Sequence, residues 1–275
     1  MGFSAPSGSL RRREQRTAAL PPLVGCATPP PAGRDAPGGA TPPGEASRIA
    51  RLVASYPDHL RGVEGDALIW TDGSRMPIGS GQPARPFDAM LRNASIADQL
   101  RQTYEPGPLR APPPPDHSPG RLRNTAFFRK MYGDCRDPLT AAPITRITWM
   151  PRTRPQSVNI TTVNDVAGRL SQVIVALEAM PDRVKAYLTP SAGSFNCRDV
   201  ADTGLPSMHA SGAAIDIATR GSDYWAWSRS RGEPAYRNRI PPEIVEAFEA
   251  QDFIWGGKWY HYDTMHFEYR PELFA

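Results

Sequence analysis

Two short segments hold the residues best suited to chemistry. Ser207-Met208-His209-Ala210-Ser211-Gly212-Ala213-Ala214-Ile215-Asp216 carries a histidine and a carboxylate seven residues apart. About fifty residues downstream, Asp263-Thr264-Met265-His266-Phe267-Glu268 carries a second histidine between acidic neighbours. Three nitrogen and oxygen donors with an open fourth position are the catalytic arrangement for zinc, so His209, Asp216 and His266 are the candidate ligands of a mononuclear Zn2+ site. Such an ion lowers the pKa of its water to about 7 and yields a nucleophile at neutral pH. A nearby carboxylate can take that water's proton and hand it to a leaving amine. Asp263 is the candidate, because a turn or bulge at Thr264 would aim it at the same ion. Its alternative role is to orient His266 from outside the ligand set. Glu268 reads as a structural or outer acceptor rather than a ligand.

These residues need particular backbone beneath them. Along Gly212 to Ala218 a period of two puts Ala214, Asp216 and Ala218 on one face, so the carboxylate is flanked by methyl groups that leave space for an ion. A turn at Ser211-Gly212 folds His209 back toward the same point. On a last strand from Met265 to Tyr269, His266 and Glu268 share one face while Met265, Phe267 and Tyr269 pack on the other.

Upstream, Ile49, Leu52, Val53 and Tyr56 recur at helical spacing, and Pro57 ends the run. Ala67–Trp70 and Ser74–Ile78 flank Thr71-Asp72-Gly73, a hairpin signal. A helix is expected from Asp88 to Leu100, and an extended loop from Pro106 to Pro119, where residues 112 to 115 are all proline. That loop is either a domain linker or a surface excursion. Ile144–Trp149 reads as a strand. Asn164 to Met180 reads as a helix with Val166, Leu170, Val173, Ile174 and Leu177 on its apolar face and Asn164 or Asp165 as its cap. Val184, Ala186 and Leu188 alternate as in a half-buried strand. Tyr224–Trp227 forms a short helical wall, Pro241–Glu249 a helix opened by prolines, and Phe253–Trp255 a strand ended by Gly256-Gly257. Trp225, Trp227, Trp255 and Trp259 are expected in the core first and in cleft walls second, and His261 in a packed aromatic segment, with lining the cleft as its alternative. Helices and strands do not alternate regularly, which points to an α+β fold with a mostly antiparallel sheet.

The bulk numbers exclude some classes. Lys and Arg total 32 against 28 Asp and Glu, a net charge of +4, and the basic residues are scattered. That is not a nucleic-acid footprint, although a mildly basic surface suits an anionic polymer such as a cell wall. No run of eighteen apolar residues exists for a spanning helix. Residues 1–46 contain nine prolines and seven glycines, a composition expected to form a disordered tether. Within it, Leu23-Val24-Gly25-Cys26 follows a basic segment and a short apolar one broken by Pro21-Pro22. The tetrapeptide resembles the lipobox of bacterial lipoproteins, so Cys26 is either a lipid anchor or part of a bland leader. If Cys26 carries lipid, Cys135 and Cys197 remain either as a disulfide or as two buried thiols. The domain division expected is 1–46 tether, 47–139 N-terminal extension packed on the catalytic part, and 140–275 catalytic domain.

The two motifs carry a family resemblance. Ser207-x-His209-x-x-Gly212-x-Ala214-x-Asp216 and Asp263-x-x-His266 resemble the paired motifs of the zinc D-alanyl-D-alanine carboxypeptidases and L-alanyl-D-glutamate peptidases of the hedgehog/DD-peptidase fold. The likeness is strong over about residues 140 to 275, and Tyr56 to Tyr104 looks like the front of longer bacterial members. Asp at 263 is the L-alanyl-D-glutamate type, where vancomycin-resistance dipeptidases have Glu. The resemblance implies three metal ligands at His209, Asp216 and His266 and a catalytic acid at Asp263. It also implies an arginine before the first motif to hold the scissile carbonyl, matched here by Arg198, whose alternative is a surface salt bridge. Ser207 corresponds to a residue near the substrate amine. The implied activity is zinc-dependent hydrolysis of peptidoglycan stem peptides by a monomer in the periplasm or cell envelope. The reading from another class is a non-catalytic, zinc-stabilised wall-binding module, since hedgehog-type relatives keep the metal without evident peptidase use.

Overall fold

Helical spacing of Leu52 and Tyr56 forms helix α1, Glu45–Ser55, whose run stops at Tyr56 before Pro57. Strands β1 (Leu60–Glu64), β2 (Ala67–Trp70) and β3 (Arg75–Pro77) then make an antiparallel meander. The expected hairpin is β2–β3, with Leu68 opposite Met76; β1 had no signal strong enough to be read from sequence. The computed structural model describes residues 44–79, 85–200, 203–227 and 235–274, all within one compact unit, Pro42–Ala275. The expected tether and Cys26 therefore lie outside the described residues, except that Glu45 and Ala46 are already helical.

The helix expected over Asp88 to Leu100 is two helices, α2 (Phe87–Arg92) and α3 (Ile96–Gln99). The apolar period runs on, but Ser95 breaks it by capping. Its hydroxyl accepts from the Asp98 amide at 3.1 Å while Asp98 Oδ2 accepts from the Ser95 amide at 3.1 Å, a reciprocal box that restarts the helix. After the proline-rich loop come α4 (Thr125–Tyr132), capped by Asn124, and the antiparallel pair β4 (Ile144–Trp149) and β5 (Gln156–Thr161). Helix α5 (Val166–Glu178) buries the five apolar residues named for it. Its start differs from expectation: Asn164 and Asp165 adopt left-handed backbone, φ 55° and 57°, and the Asp165 side chain makes no capping bond.

Val184 and Leu188 do not lie in a strand. They are buried one helical turn apart while Ala186 is exposed, because α6 (Asp182–Lys185) follows Pro181. An apolar residue at i, i+2 and i+4 satisfies both periods, and here the i, i+4 pair decides. The chain finishes with β6 (Ala214–Asp216), α7 (Pro242–Glu249), β7 (Phe253–Trp255) and β8 (His266–Tyr269), the strands ordered β6-β8-β7 and all antiparallel. Three small antiparallel sheets with helices around them make an α+β fold. Among the described residues no helix is long and apolar enough to cross a membrane.

One apolar core takes residues from both ends of the unit, including Tyr56, Trp70, Phe127, Trp149, Leu170, Phe248 and Phe267. Phe248 of α7 stacks on Phe267 of β8 at 3.8 Å between ring centres, which backs the strand that carries His266. Buried polar ties join the same regions. Tyr56 donates to Glu272 at 2.6 Å, Tyr104 donates to Glu249 at 2.6 Å, and Lys258 reaches the same Glu249 oxygen at 2.7 Å. A buried cation without a counter-charge would be costly, so these pairs fix how the 104–107 segment meets α7. Cys135 and Cys197 are disulfide-bonded, resolving that pairing in favour of the bridge.

Candidate metal centre and cleft

Strand pairing brings the two motifs together. Asp216 of β6 lies directly opposite His266 of β8, the closest cross-strand relation a sheet offers. On its other side β6 meets Gly193, with the Asp216 amide donating to the Gly193 carbonyl at 2.7 Å. His209 arrives by the expected turn. Gly212 has φ +66°, its amide donates to the His209 carbonyl at 3.0 Å, and a Cβ there would stand 2.6 Å from Ile144 Cδ1. Only glycine meets both conditions without strain.

His209 Nε2 lies 3.2 Å from Asp216 Oδ1, His266 Nδ1 lies 3.0 Å from the same oxygen, and the two ring nitrogens are 3.2 Å apart. The outer ring nitrogens are both engaged. His209 Nδ1 donates to the Ser194 carbonyl at 2.6 Å, and His266 Nε2 donates to Glu268 Oε2 at 2.9 Å. With those protons placed outward, both inward nitrogens present lone pairs to each other and to a carboxylate. Three acceptors with no shared proton repel unless a cation sits among them. A tetrahedral ion with bonds of 2.0–2.1 Å has ligand edges of about 3.3 Å, close to the separations seen. The donor set therefore fits zinc.

The titration behaviour expresses the same demand for positive charge. Burial would lower His266, but hydrogen bonds to Asp216 and Glu268 and their charges raise it to about 10. Asp216 is held well below the usual carboxylate range, because the two imidazoles outweigh the burial that opposes its charge. In the metal-free protein a proton shared with His266 supplies the cation that an ion would otherwise supply.

Glu268 is an outer acceptor, as its residue type and position suggested. It is fully buried and also takes bonds from Arg270 at 2.9 Å and Arg123 at 3.3 Å. Burial opposes its ionisation, yet Arg123, His266 and Arg270 bring its pKa down to about 2. An ionised Glu268 fixes the ring orientation and tautomer of His266. Arg270 in turn pairs with Glu272 at 2.7 Å, so the polar chain runs from the cluster to Tyr56, just after α1.

Asp263 stands in the turn before β8. Its amide donates to the Gly256 carbonyl at 3.0 Å, and its own carbonyl lies 2.6 Å from where a Gly256 Cβ would be. Oδ1 of Asp263 is buried and has no hydrogen-bond partner among the described residues. Burial first, then the charge of Asp216, pushes its carboxyl up to about 6, against opposing pulls from His266 and Arg121. A carboxyl poised near neutrality with an unengaged oxygen has the properties of a general base.

His209, Asp216, His266 and Asp263 all line one cleft of about 490 Å³, together with Arg198 and Ser207. Arg198 makes no side-chain ion pair with a described carboxylate; its Nη1 reaches the Asp199 carbonyl at 3.5 Å. Both its neighbours are tied to one segment, Cys197 by the disulfide to Cys135 and Asp199 by a 2.6 Å ion pair to Arg136. Ser207 is buried, its amide donating to the Arg198 carbonyl at 3.1 Å. Trp225, Trp259 and His261 are also in the wall, with Trp225 and His261 rings 4.2 Å apart. Sequence reasoning missed Arg121 and Arg123, which enter the cleft from just beyond the proline-rich loop. Nothing in their spacing marks them, since they are placed by contacts with residues 140 positions away or more.

Residues 201–269 match the model of a family described as D-alanyl-D-alanine carboxypeptidase. The match covers about a quarter of the chain and contains both motifs. No curated protein and no solved structure matches the chain. The cluster and the match fall on the same stretch: over residues 201–269, which contain His209, Asp216 and His266, the chain is similar to the D-alanyl-D-alanine carboxypeptidase family.

Proposed function

We propose that the protein is a zinc metallopeptidase that hydrolyses a peptidoglycan stem peptide at a bond flanked by a D-amino acid, on a hedgehog/DD-peptidase type of scaffold. The observation that carries this reading is the set of three inward acceptor atoms at 3.0–3.2 Å, in the same cleft as Asp263 with its unengaged oxygen. His209 Nε2, Asp216 Oδ1 and His266 Nδ1 would hold the ion. When bound, zinc supplies a Lewis acid and a water acidic enough to react at neutral pH.

Asp263 takes a proton from the attacking water as the new carbon–oxygen bond forms. It then delivers that proton to the amide nitrogen, so the carbon–nitrogen bond breaks with a neutral amine leaving. Arg198 faces the negative charge that develops on the carbonyl oxygen, where a fixed cation contributes several kcal/mol in a site that excludes water. Ser207, held under Arg198, contacts the substrate amine. Glu268 keeps His266 in the tautomer that points Nδ1 inward. The Cys135–Cys197 bridge supports an oxidising compartment, the periplasm or cell envelope, and Cys26 is proposed as its lipid anchor.

Purified protein with one equivalent of zinc is expected to release D-alanine from, or cut the L-Ala–D-Glu bond of, defined muropeptides, and EDTA to stop it. Full activity in His209→Ala would refute the assignment. Zinc and wall binding without turnover in the native chain would favour the non-catalytic module instead.

A further inference from the structure

Three arginines line the cleft: Arg123 is committed to Glu268 at 3.3 Å, and Arg198 is the one assigned above to the substrate carbonyl. Arg121 remains. Its guanidinium lies 5.2 Å over the Trp259 ring, and that ring is 5.3 Å from the ring of His266. It makes no ion pair with a described carboxylate, although its charge is felt at Asp263.

The backbone beneath Arg121 is held firmly. The Pro119 carbonyl accepts from Trp259 Nε1 at 2.6 Å, and the Gly120 carbonyl accepts from Arg270 at 2.9 Å. The Tyr260 amide donates to the His117 carbonyl at 2.7 Å. Gly120 has φ +91°, and a Cβ there would meet Ile254 Cδ1 at 2.5 Å. The proline-rich excursion is thus clamped to Trp259, Tyr260 and Arg270 immediately before Arg121. A guanidinium held over an indole by a cation–π contact still has N–H donors to offer an anion, and carboxylate is the anion whose geometry its fork matches bidentately.

Resting on the peptidase reading above, we propose that Arg121 is the specificity residue that reads a carboxylate of the substrate, so that acidic peptides are bound and their carboxamides rejected. The carboxylate is either the free C-terminus of the peptide or the α-carboxylate of a γ-linked D-glutamate. Both present the same planar anion to the cleft. A substrate carboxylate also offsets the positive charge that Arg121 and Arg198 bring to the wall.

The test measures equilibrium binding to the zinc-loaded Asp263→Asn protein, so that turnover does not intrude. Two peptide pairs are used: an acyl-D-Ala-D-Ala acid with its C-terminal amide, and a D-glutamate stem peptide with its D-isoglutamine counterpart. Wild-type position 121 should prefer the acid in one pair by roughly 10–100-fold, the range of a charge-assisted hydrogen-bond pair. Which pair responds identifies the source of the carboxylate. Adding Arg121→Ala should abolish the preference by weakening the acid alone, with zinc affinity unchanged. Arg121→Lys, which keeps charge without the fork, should retain part of it, and serves where the alanine variant is unstable. Equal binding of acid and amide, equal loss of both on substitution, or no binding of either pair would overturn the proposal. Turnover by the native enzyme is scored separately. Arg121-dependent binding without turnover would refute the peptidase reading alone, and turnover indifferent to the carboxylate would refute this proposal alone.

Discussion

Glu268→Gln tests the claim that the cluster depends on charge outside it. Glu268 is buried and receives three cationic or ring donors: His266 at 2.9 Å, Arg270 at 2.9 Å and Arg123 at 3.3 Å. The amide keeps the shape but removes the charge and turns one acceptor into a donor. Arg270 still has Glu272 at 2.7 Å, whereas Arg123 has no other described carboxylate partner. Breaking a buried pair on one side costs about 3–5 kcal/mol, and at about 2–4 °C per kcal/mol for a unit of this size the melting temperature falls by roughly 6–20 °C. A second effect is separate from the first. Loss of an outer acceptor on a metal-bound histidine lowers metal affinity by about 10–100-fold, or about 1.4–2.7 kcal/mol. Melting in EDTA reads the first effect, and zinc titration against a competing chelator reads the second. Zinc affinity within threefold of the native protein would refute the view that Glu268 sets the His266 tautomer. An unchanged melting temperature in EDTA would refute its role as counter-charge.

Asp263→Asn should abolish turnover while zinc still binds, and it should stabilise the metal-free protein. A carboxyl raised from 3.8 to about 6 on folding makes the folded state bind the extra proton, so stability falls as pH rises between those values. Removing the group recovers up to about 3 kcal/mol above pH 6 and nothing at pH 3.5, which melting of EDTA-treated protein at several pH values will check; a variant less stable at pH 8 would contradict it. Replacing Cys135 and Cys197 by serine opens a 62-residue span, worth about 4 kcal/mol in the chain-entropy model. The melting temperature should drop by roughly 8–16 °C, and KM should rise as the Arg198 segment loosens; reductant should mimic this in the native chain and leave the variant unmoved. Gly212→Ala places a Cβ 2.6 Å from Ile144 in left-handed backbone, so a loss of more than about 1 kcal/mol is expected, together with weaker zinc binding by chelator competition.

The three-donor cluster of His209, Asp216 and His266 was legible because its signals are local or strictly periodic. Ser211-Gly212 marks a turn by glycine chemistry, and a period of two assigns Asp216 and His266 to faces before any pairing is known. The proline and glycine punctuation around Pro57, Asp72-Gly73, Pro181 and Pro241-Pro242 likewise limits elements through backbone geometry alone. Local signals failed where two patterns coincide. Val184, Ala186 and Leu188 fit a strand by alternation and a helix by their outer pair, and burial of Val184 and Leu188 chose the helix. Asp88 to Leu100 kept its apolar period through Ser95, yet two side-chain bonds of the capping box ended one helix and began another.

By itself the sequence determined which residues can hold a cation, which carboxylate stands beside them and the α+β class, since residue type, turn chemistry and side-chain parity act over a few positions. Tertiary structure alone decided that Asp216 lies opposite His266, that Glu268 and Ser194 fix the two ring tautomers, and that Arg121 and Arg123 reach the cleft from across the chain. Those relations depend on burial, desolvation and hydrogen bonds between segments up to about 150 residues apart, and no spacing along the chain encodes them.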